Sequence, residues 1–141
     1  MELSRLWNQE YPAQLMLESM EDFDQYLLEL INVTHILYTG AGNEILGWAF
    51  KFTRNDAKWF AIILDGSIHQ KGIGSLLLNH LKENETELNG WVIDHERYKK
   101  TDLKYYKSPV NFYLKNGFIL REQERIESPK LSAVKIVWHI A

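Results

Sequence analysis

The stretch that decides the fold runs Ile62-Ile63-Leu64-Asp65-Gly66-Ser67-Ile68-His69-Gln70-Lys71-Gly72-Ile73-Gly74-Ser75. It starts as an apolar strand, passes through a glycine-bearing loop, and continues into a helix whose apolar face is Ile73, Leu76, Leu77, Leu78 and Leu81, ending near Asn84. A loop that delivers backbone N–H groups to a helix start is a natural anion site. Gly72 and Gly74 lack Cβ atoms, so a phosphate could approach the main chain there. A Walker A loop requires its lysine after the last glycine, and Lys71 precedes it. A dinucleotide fingerprint requires a small third residue where Leu77 stands. Two readings remain: a pyrophosphate-cradling loop, or glycines that merely turn the chain.

Upstream, His35–Thr39, Ile45–Thr53 and Lys58–Leu64 are rich in aromatic and branched residues, with turn compositions at 40–43 and 54–56. They predict a three-stranded antiparallel meander, with Trp48, Phe50 and Phe52 on one buried face. Before it, Phe23, Tyr26, Leu27, Leu30 and Ile31 follow helical spacing, so a helix is expected over 19–31 with Ser19 as its cap. Downstream, Leu88–Asp94 reads as a buried strand. Ser108-Pro109 opens a helix that Gly117 closes. Strands at Phe118–Arg125 and Leu131–Ile140 follow, with Val134, Ile136, Trp138 and Ile140 in core alternation. The order α, βββ, α, β, α, ββ is a mixed α/β domain occupying residues 1–141.

Composition excludes several classes. The 141 residues contain no cysteine, which removes disulfide scaffolds, zinc ribbons and thiol catalysis. Five histidines show no metal spacing, and Ser67 and Ser75 sit in no nucleophile elbow. The start has no basic and apolar leader pattern, and no apolar run approaches the roughly 20 residues of a spanning helix; a cytoplasmic protein is expected. Net charge is −3, a poor basis for binding duplex DNA. Residues 6–50 hold seven acids and no Lys or Arg, whereas 51–141 carry a net +4. The segment 97–107 mixes Arg97, Lys99, Lys100, Lys104 and Lys107 with Tyr98, Tyr105 and Tyr106. It suits single-stranded RNA, a phosphate of a cofactor, or a solvated loop; nucleic acid is the least favoured of these.

Two blocks together resemble the GNAT superfamily of acyl-CoA-dependent N-acetyltransferases. The first is His69-Gln70-Lys71-Gly72-Ile73-Gly74, similar to that family's Arg/Gln-x-x-Gly-x-Gly/Ala loop, with His69 at the usual Arg or Gln position. The second is Phe112-Tyr113-Leu114-Lys115-Asn116-Gly117-Phe118, similar to its Phe-Tyr-x-Lys-x-Gly-Phe helix end. The resemblance implies a splayed mixed sheet flanked by helices, with acetyl-CoA as co-substrate and no metal. It implies that Ile62, Ile63 and Leu64 pair with the pantetheine arm and that His69, Gln70, Lys71, Gly72, Ile73, Gly74 and Ser75 wrap the pyrophosphate. Tyr113 would protonate the leaving thiolate, an ordinary tyrosine pKa of about 10 suiting a thiol of about 8.5. Asp65 or Asp94 is the candidate base, although Asp65 equally suits a turn and Asp94 a strand cap. The implied activity is direct attack of a primary amine, mildly favoured as cationic, on acetyl-CoA; a homodimer is compatible. The alternative is a non-catalytic acyl-CoA-binding module on the same fold.

Overall fold

A computed structural model describes residues 2–15, 25 and 27–140. The chain opens with helix α1, Glu2–Glu10, which the sequence patterning did not single out. Gln25, Leu27 and Leu28 are helical, while Ser19, Phe23 and Tyr26 of the expected helix lie outside the described residues. That helix does not reach Ile31, because strand β1, Ile31–Thr39, begins there. Ile31, Val33 and Thr34 are β-branched and favour the pleated backbone.

β2 (Ile45–Arg54) and β3 (Ala57–Leu64) complete the meander. Asn55 and Asp56 join them with φ of 51° and 61°, the two left-handed residues of a tight hairpin turn. Helix α2 is Ile73–Lys82, β4 Glu87–Val92, α3 Val110–Lys115, β5 Ile119–Glu127 and β6 Ser132–His139. They form a six-stranded mixed sheet in the order β1-β2-β3-β4-β6-β5. Every neighbouring pair is antiparallel except β3 and β4.

Helices cover both faces of this sheet. On one face, Leu77, Leu78 and Leu81 of α2 and Tyr113 of α3 pack on Ala49, Phe60, Leu88, Val134 and Ile136. On the other, Leu6 of α1 packs on Trp48, Phe50, Phe52 and Ile63, with Trp7 and Tyr11 beside it. β2 is therefore buried on both sides, and its Trp48/Phe50/Phe52 face is only half of its contribution. Lys51 is the exception that fits. It points toward α2, where its Nζ donates to the carbonyls of Leu81 (2.9 Å) and Glu83 (3.2 Å) and pairs with Glu85 at 2.9 Å. Its cation thus caps the carbonyl end of α2, which the helix dipole favours.

The core alternation expected at the C-terminus stops early. Val134 and Ile136 are buried, but Ile140 lies past β6 and is 60% exposed. Trp138 is half-buried, with the Lys82 ammonium 5.0 Å above its ring.

Candidate active site

The site begins where the two parallel strands part. β3 and β4 are in register at Trp59↔Asn89 alone, although β3 runs on to Leu64 and β4 to Val92. The far side of β3 stays paired with β2 through Gly47↔Leu64, Trp48↔Ile63 and Ala49↔Ile62. The near side of Ile62–Leu64 therefore faces a widening gap, with main-chain groups available to a ligand that can pair like a strand.

Phe60 and Gly90 set the apex of that gap. A Cβ at Gly90 would lie 2.8 Å from the Phe60 ring, so the ring lies directly over the β4 backbone. Tyr113 stands edge-on to Phe60 at 5.7 Å and to Phe118 at 5.3 Å. It is 6% exposed, and among the described residues its hydroxyl has no hydrogen-bond partner. Burial pushes its pKa well above the ordinary tyrosine value, so the matching of about 10 to about 8.5 expected from the sequence does not describe this phenol. Burial therefore favours the neutral phenol over the phenolate.

Local sequence explains how Tyr113 is held. Ser108 donates to the Ile93 carbonyl at 2.7 Å and accepts the Val110 N–H at 3.3 Å, tying the start of α3 to the end of β4. The helix starts at Val110, one residue later than Pro109 suggested. At its end Gly117 adopts φ +89°, the Phe118 N–H returns to the Tyr113 carbonyl (3.1 Å), and the Gly117 N–H to Leu114 (3.3 Å). This is the Schellman arrangement that a glycine stop permits.

The glycine loop enters α2 beside this apex. Gln70 and Gly72 have φ of 63° and 79°. The first amide to bond back into the helix is Leu76, to the Gly72 carbonyl at 3.1 Å. The N–H groups of Ile73, Gly74 and Ser75 therefore point out of the helix start. A Cβ at Gly72 would meet nothing within 4 Å, so the space over its backbone is open. Gly74 is small for a different reason: a Cβ would lie 3.0 Å from the Phe112 ring and 3.3 Å from Leu64. The space that the sequence led us to expect at both glycines is open at Gly72 alone. His69 folds back, its Nε2 2.9 Å from the Leu64 carbonyl, and Lys71 is exposed.

Three carboxylates rim the open end of the gap. Asp65 lies just past β3 and caps the short turn Gly66–Ile68, accepting the Ser67 N–H at 2.9 Å and Gln9 at 3.0 Å. Burial pushes its pKa up, but those bonds and Arg5 outweigh it and hold the group below the ordinary range. Asp94, past β4, is gripped by Arg125 through both oxygens at 2.8 and 3.1 Å, which lowers its pKa.

The third, Glu10, is the residue sequence reasoning missed. It ends α1 and is only 7% exposed. One oxygen accepts the Gly66 N–H at 3.0 Å and the other meets Lys100 Nζ at 3.5 Å. Lys100 comes from the basic, aromatic segment, which is a small hairpin rather than an open loop. Lys99 bridges Tyr105, Tyr106 N–H bonds the Tyr98 carbonyl (2.8 Å), and the Lys99 carbonyl accepts Ala13 N–H (2.8 Å). Glu10, Gly66 and Lys100 thus staple together α1, the end of β3 and the segment after β4. Tyr106 is half-buried, and desolvation, together with the nearby Glu10 charge, raises its pKa to about 12.

No protein-family model matches this chain, and no curated protein sequence does. Solved structures do. An aminoglycoside 6′-N-acetyltransferase complexed with coenzyme A superposes with a TM-score of 0.70 at 15% identity, over 99% of this chain and 89% of that one. The chain has the fold of the GNAT acetyltransferases. A GNAT superfamily phosphinothricin acetyltransferase from Sinorhizobium meliloti, in complex with AcCoA, matches with a TM-score of 0.67 at 13% identity, covering 99% and 82%. The ribosomal-protein-S18-alanine N-acetyltransferase from Escherichia coli matches with a TM-score of 0.63 at 14% identity, covering 99% and 87%. The mixed sheet and flanking helices expected from the two sequence blocks are therefore observed. Among the described residues no helix is long and apolar enough to cross a membrane.

Proposed function

We propose that this protein is an acyltransferase that moves an acetyl group from acetyl-CoA to a primary amine by direct attack. The observation that carries the proposal is the single-pair register of β3 and β4, with Tyr113 at the apex of the gap and the outward amides of α2 beside it. In this reading Ile62–Leu64 pair with the pantetheine arm, and the residues from His69 to Ser75 surround the pyrophosphate. Gly72 and the first amides of α2 take the closest phosphate contact, with α2's dipole favouring the anion. His69 holds the loop to β3 instead of reaching for phosphate.

The amine nitrogen forms its bond to the thioester carbonyl carbon, the C–S bond breaks, the nitrogen gives up its extra proton to water, and the thiolate receives a proton from Tyr113, which solvent then restores. Burial makes that phenol a weaker acid than a free tyrosine, so in this reading its O–H hydrogen-bonds the sulfur as charge appears there and the proton passes only as the C–S bond breaks. The amine must arrive neutral. Asp65 and Asp94 remain the candidate proton acceptors by position, yet both already spend their oxygens on partners that favour the charged form. We therefore assign them to holding the rim and favour loss of the amine proton to water. A cationic acceptor is favoured by the acid-rich stretch before β1, of which Glu18, Glu21, Asp22 and Asp24 lie outside the described residues.

The test is a panel of primary amines with acetyl-CoA, read by free thiol release, for wild type and Tyr113→Phe. Amine-dependent release that falls about 100-fold or more in the variant is expected. Tight CoA binding with no turnover on any amine, and indifference to Tyr113→Phe, would establish the non-catalytic binding module instead.

A further inference from the structure

A carboxylate taken out of water is normally filled by close donors on both oxygens. Glu10 is filled on one only. Its Oε2 accepts the Gly66 N–H at 3.0 Å and a side-chain N–H of Gln9. Its Oε1 accepts no hydrogen bond among the described residues, and the nearest cation is Lys100 Nζ at 3.5 Å. A charge-assisted N–H···O bond is about 2.7–2.9 Å long. This chain makes one where an ion pair serves packing, since Lys51 reaches Glu85 at 2.9 Å and two carbonyls besides. Lys100 is different. Only 18% of its side chain is exposed, yet among the described residues its ammonium makes no hydrogen bond, and its other neighbour is Asp102 at 4.0 Å. A buried oxygen and a buried ammonium that both lack a close partner form an ion pair that a better donor can displace.

Location gives the class of that donor. The outward amides of Ile73, Gly74 and Ser75 belong to α2, on one face of the sheet, whereas Glu10 ends α1 on the other. Gly66, which Glu10 holds, follows two residues after Leu64 at the open end of the gap. The Glu10 charge reaches Tyr106, and Tyr106 in turn acts on Tyr113. An acceptor approaching from the face that the cofactor leaves free therefore passes Glu10 before it meets the thioester. Glu10 stands at the rim and Tyr113 at the apex, so the group that Glu10 holds is not the nitrogen that reacts.

We propose that Glu10 Oε1 is a docking point for a second ammonium group of the acceptor, with Lys100 as its internal, displaceable occupant. The acceptor is then an amine that carries a further cation several bonds from the reacting nitrogen. Lys100 can withdraw without unmaking the hairpin, because its backbone is held by the bond of its N–H to the Lys104 carbonyl at 2.8 Å, and Asp102 offers its ammonium another partner. This inference rests on the acetyltransferase reading, since it specifies the acceptor of that same site.

Binding is read by calorimetry on the CoA-loaded protein, where no acetyl group is present to react. A series of α,ω-diaminoalkanes is compared with 1-aminoalkanes of matched length. One diamine should bind at least about 10-fold tighter than its monoamine, the worth of a hydrogen bond to a charged group. Glu10→Gln keeps an oxygen for the Gly66 N–H but loses the charge, and should erase that preference. Lys100→Met vacates Oε1 and should raise diamine affinity at least about 3-fold, as removal of an internal competitor does. A purely structural ion pair predicts the opposite for Lys100→Met, whose loss could only loosen the site. Diamines and monoamines that bind wild type alike overturn the proposal, as does a preference that survives Glu10→Gln, or diamine binding that Lys100→Met weakens. If Glu10→Gln does not fold, Lys100→Met decides. Thiol release from acetyl-CoA separates the two readings. Equal acetylation of diamines and monoamines removes the docking site and leaves the acetyltransferase, whereas Glu10-dependent diamine binding without any thiol release does the reverse.

Discussion

Replacing Gly90 by alanine probes the apex of the gap without touching a ligand-facing group. The new methyl carbon would lie 2.8, 3.1 and 3.4 Å from three atoms of the Phe60 ring. Carbon atoms rest at about 3.5–4.0 Å, so the ring must retreat by roughly 1 Å. It has nowhere to go. Phe60 is 6% exposed, with Tyr113 edge-on at 5.7 Å and Phe118 at 5.3 Å behind it. Overpacking of this kind costs about 1–3 kcal/mol. The upper half of that range is expected, because ring and strand are both fixed, which corresponds to a melting temperature lower by roughly 5–10 °C. Urea unfolding measures the loss. The same displacement moves Tyr113, so amine acetylation should fall further than CoA affinity. Phe60→Leu in the Gly90→Ala background removes ring atoms from the clash and should recover at least about 1 kcal/mol, a coupling a double-mutant cycle reads directly. A Gly90→Ala protein as stable as wild type, or one that Phe60→Leu does not rescue, would refute this account of the apex.

Other consequences follow from the same geometry. Gly72→Ala should cost about 1 kcal/mol in thermal unfolding from its left-handed backbone alone, whereas Gly72→Asp should also weaken CoA binding more than 10-fold by calorimetry, since a carboxylate would compete for the loop amides. Lys51→Met should destabilise by about 3 kcal/mol in chemical denaturation, because Glu85 and two carbonyls of the α2 terminus lose their buried cation. The lowered pKa values of Asp65 and Asp94 stabilise the fold fully above the ordinary carboxylate value of 3.8, and that contribution is lost as pH falls through the lower folded-state values. Arg125→Gln should therefore narrow the stability difference between pH 7 and pH 3, measured by thermal melts. In turnover, kcat/KM should rise with pH through the acceptor amine's own pKa and show no limb from Tyr113, which stays protonated.

Much of this architecture is written locally in the chain. The meander is announced by aromatic strands and by Asn55-Asp56, and the end of α3 by Gly117, because turn residues and backbone handedness act over a few positions. The two loop glycines were legible as a pair but not as individuals. Nothing local says that Phe112, nearly forty residues away, fills the space at Gly74, while the space over Gly72 is left open. Glu10 was hidden for a similar reason. Read by composition it joins an acidic, solvated stretch; folded, it is buried against Gly66 and Lys100, at separations no periodicity encodes. α1 itself has Leu3, Leu6 and Trp7 at helical spacing, but nine residues give too little pattern to stand alone. Asp94 could be placed at a strand end, but its capture by Arg125 from β5 depends on strand order.

Amide hydrogen exchange with and without CoA tests the central claim most directly. The amides from Gln70 to Ser75, together with those of Ile62 to Leu64 facing the gap, should slow markedly when CoA is added, while the β1 amides stay unchanged. Protection that leaves both segments unaltered at saturating CoA would contradict the placement of the cofactor between β3 and β4.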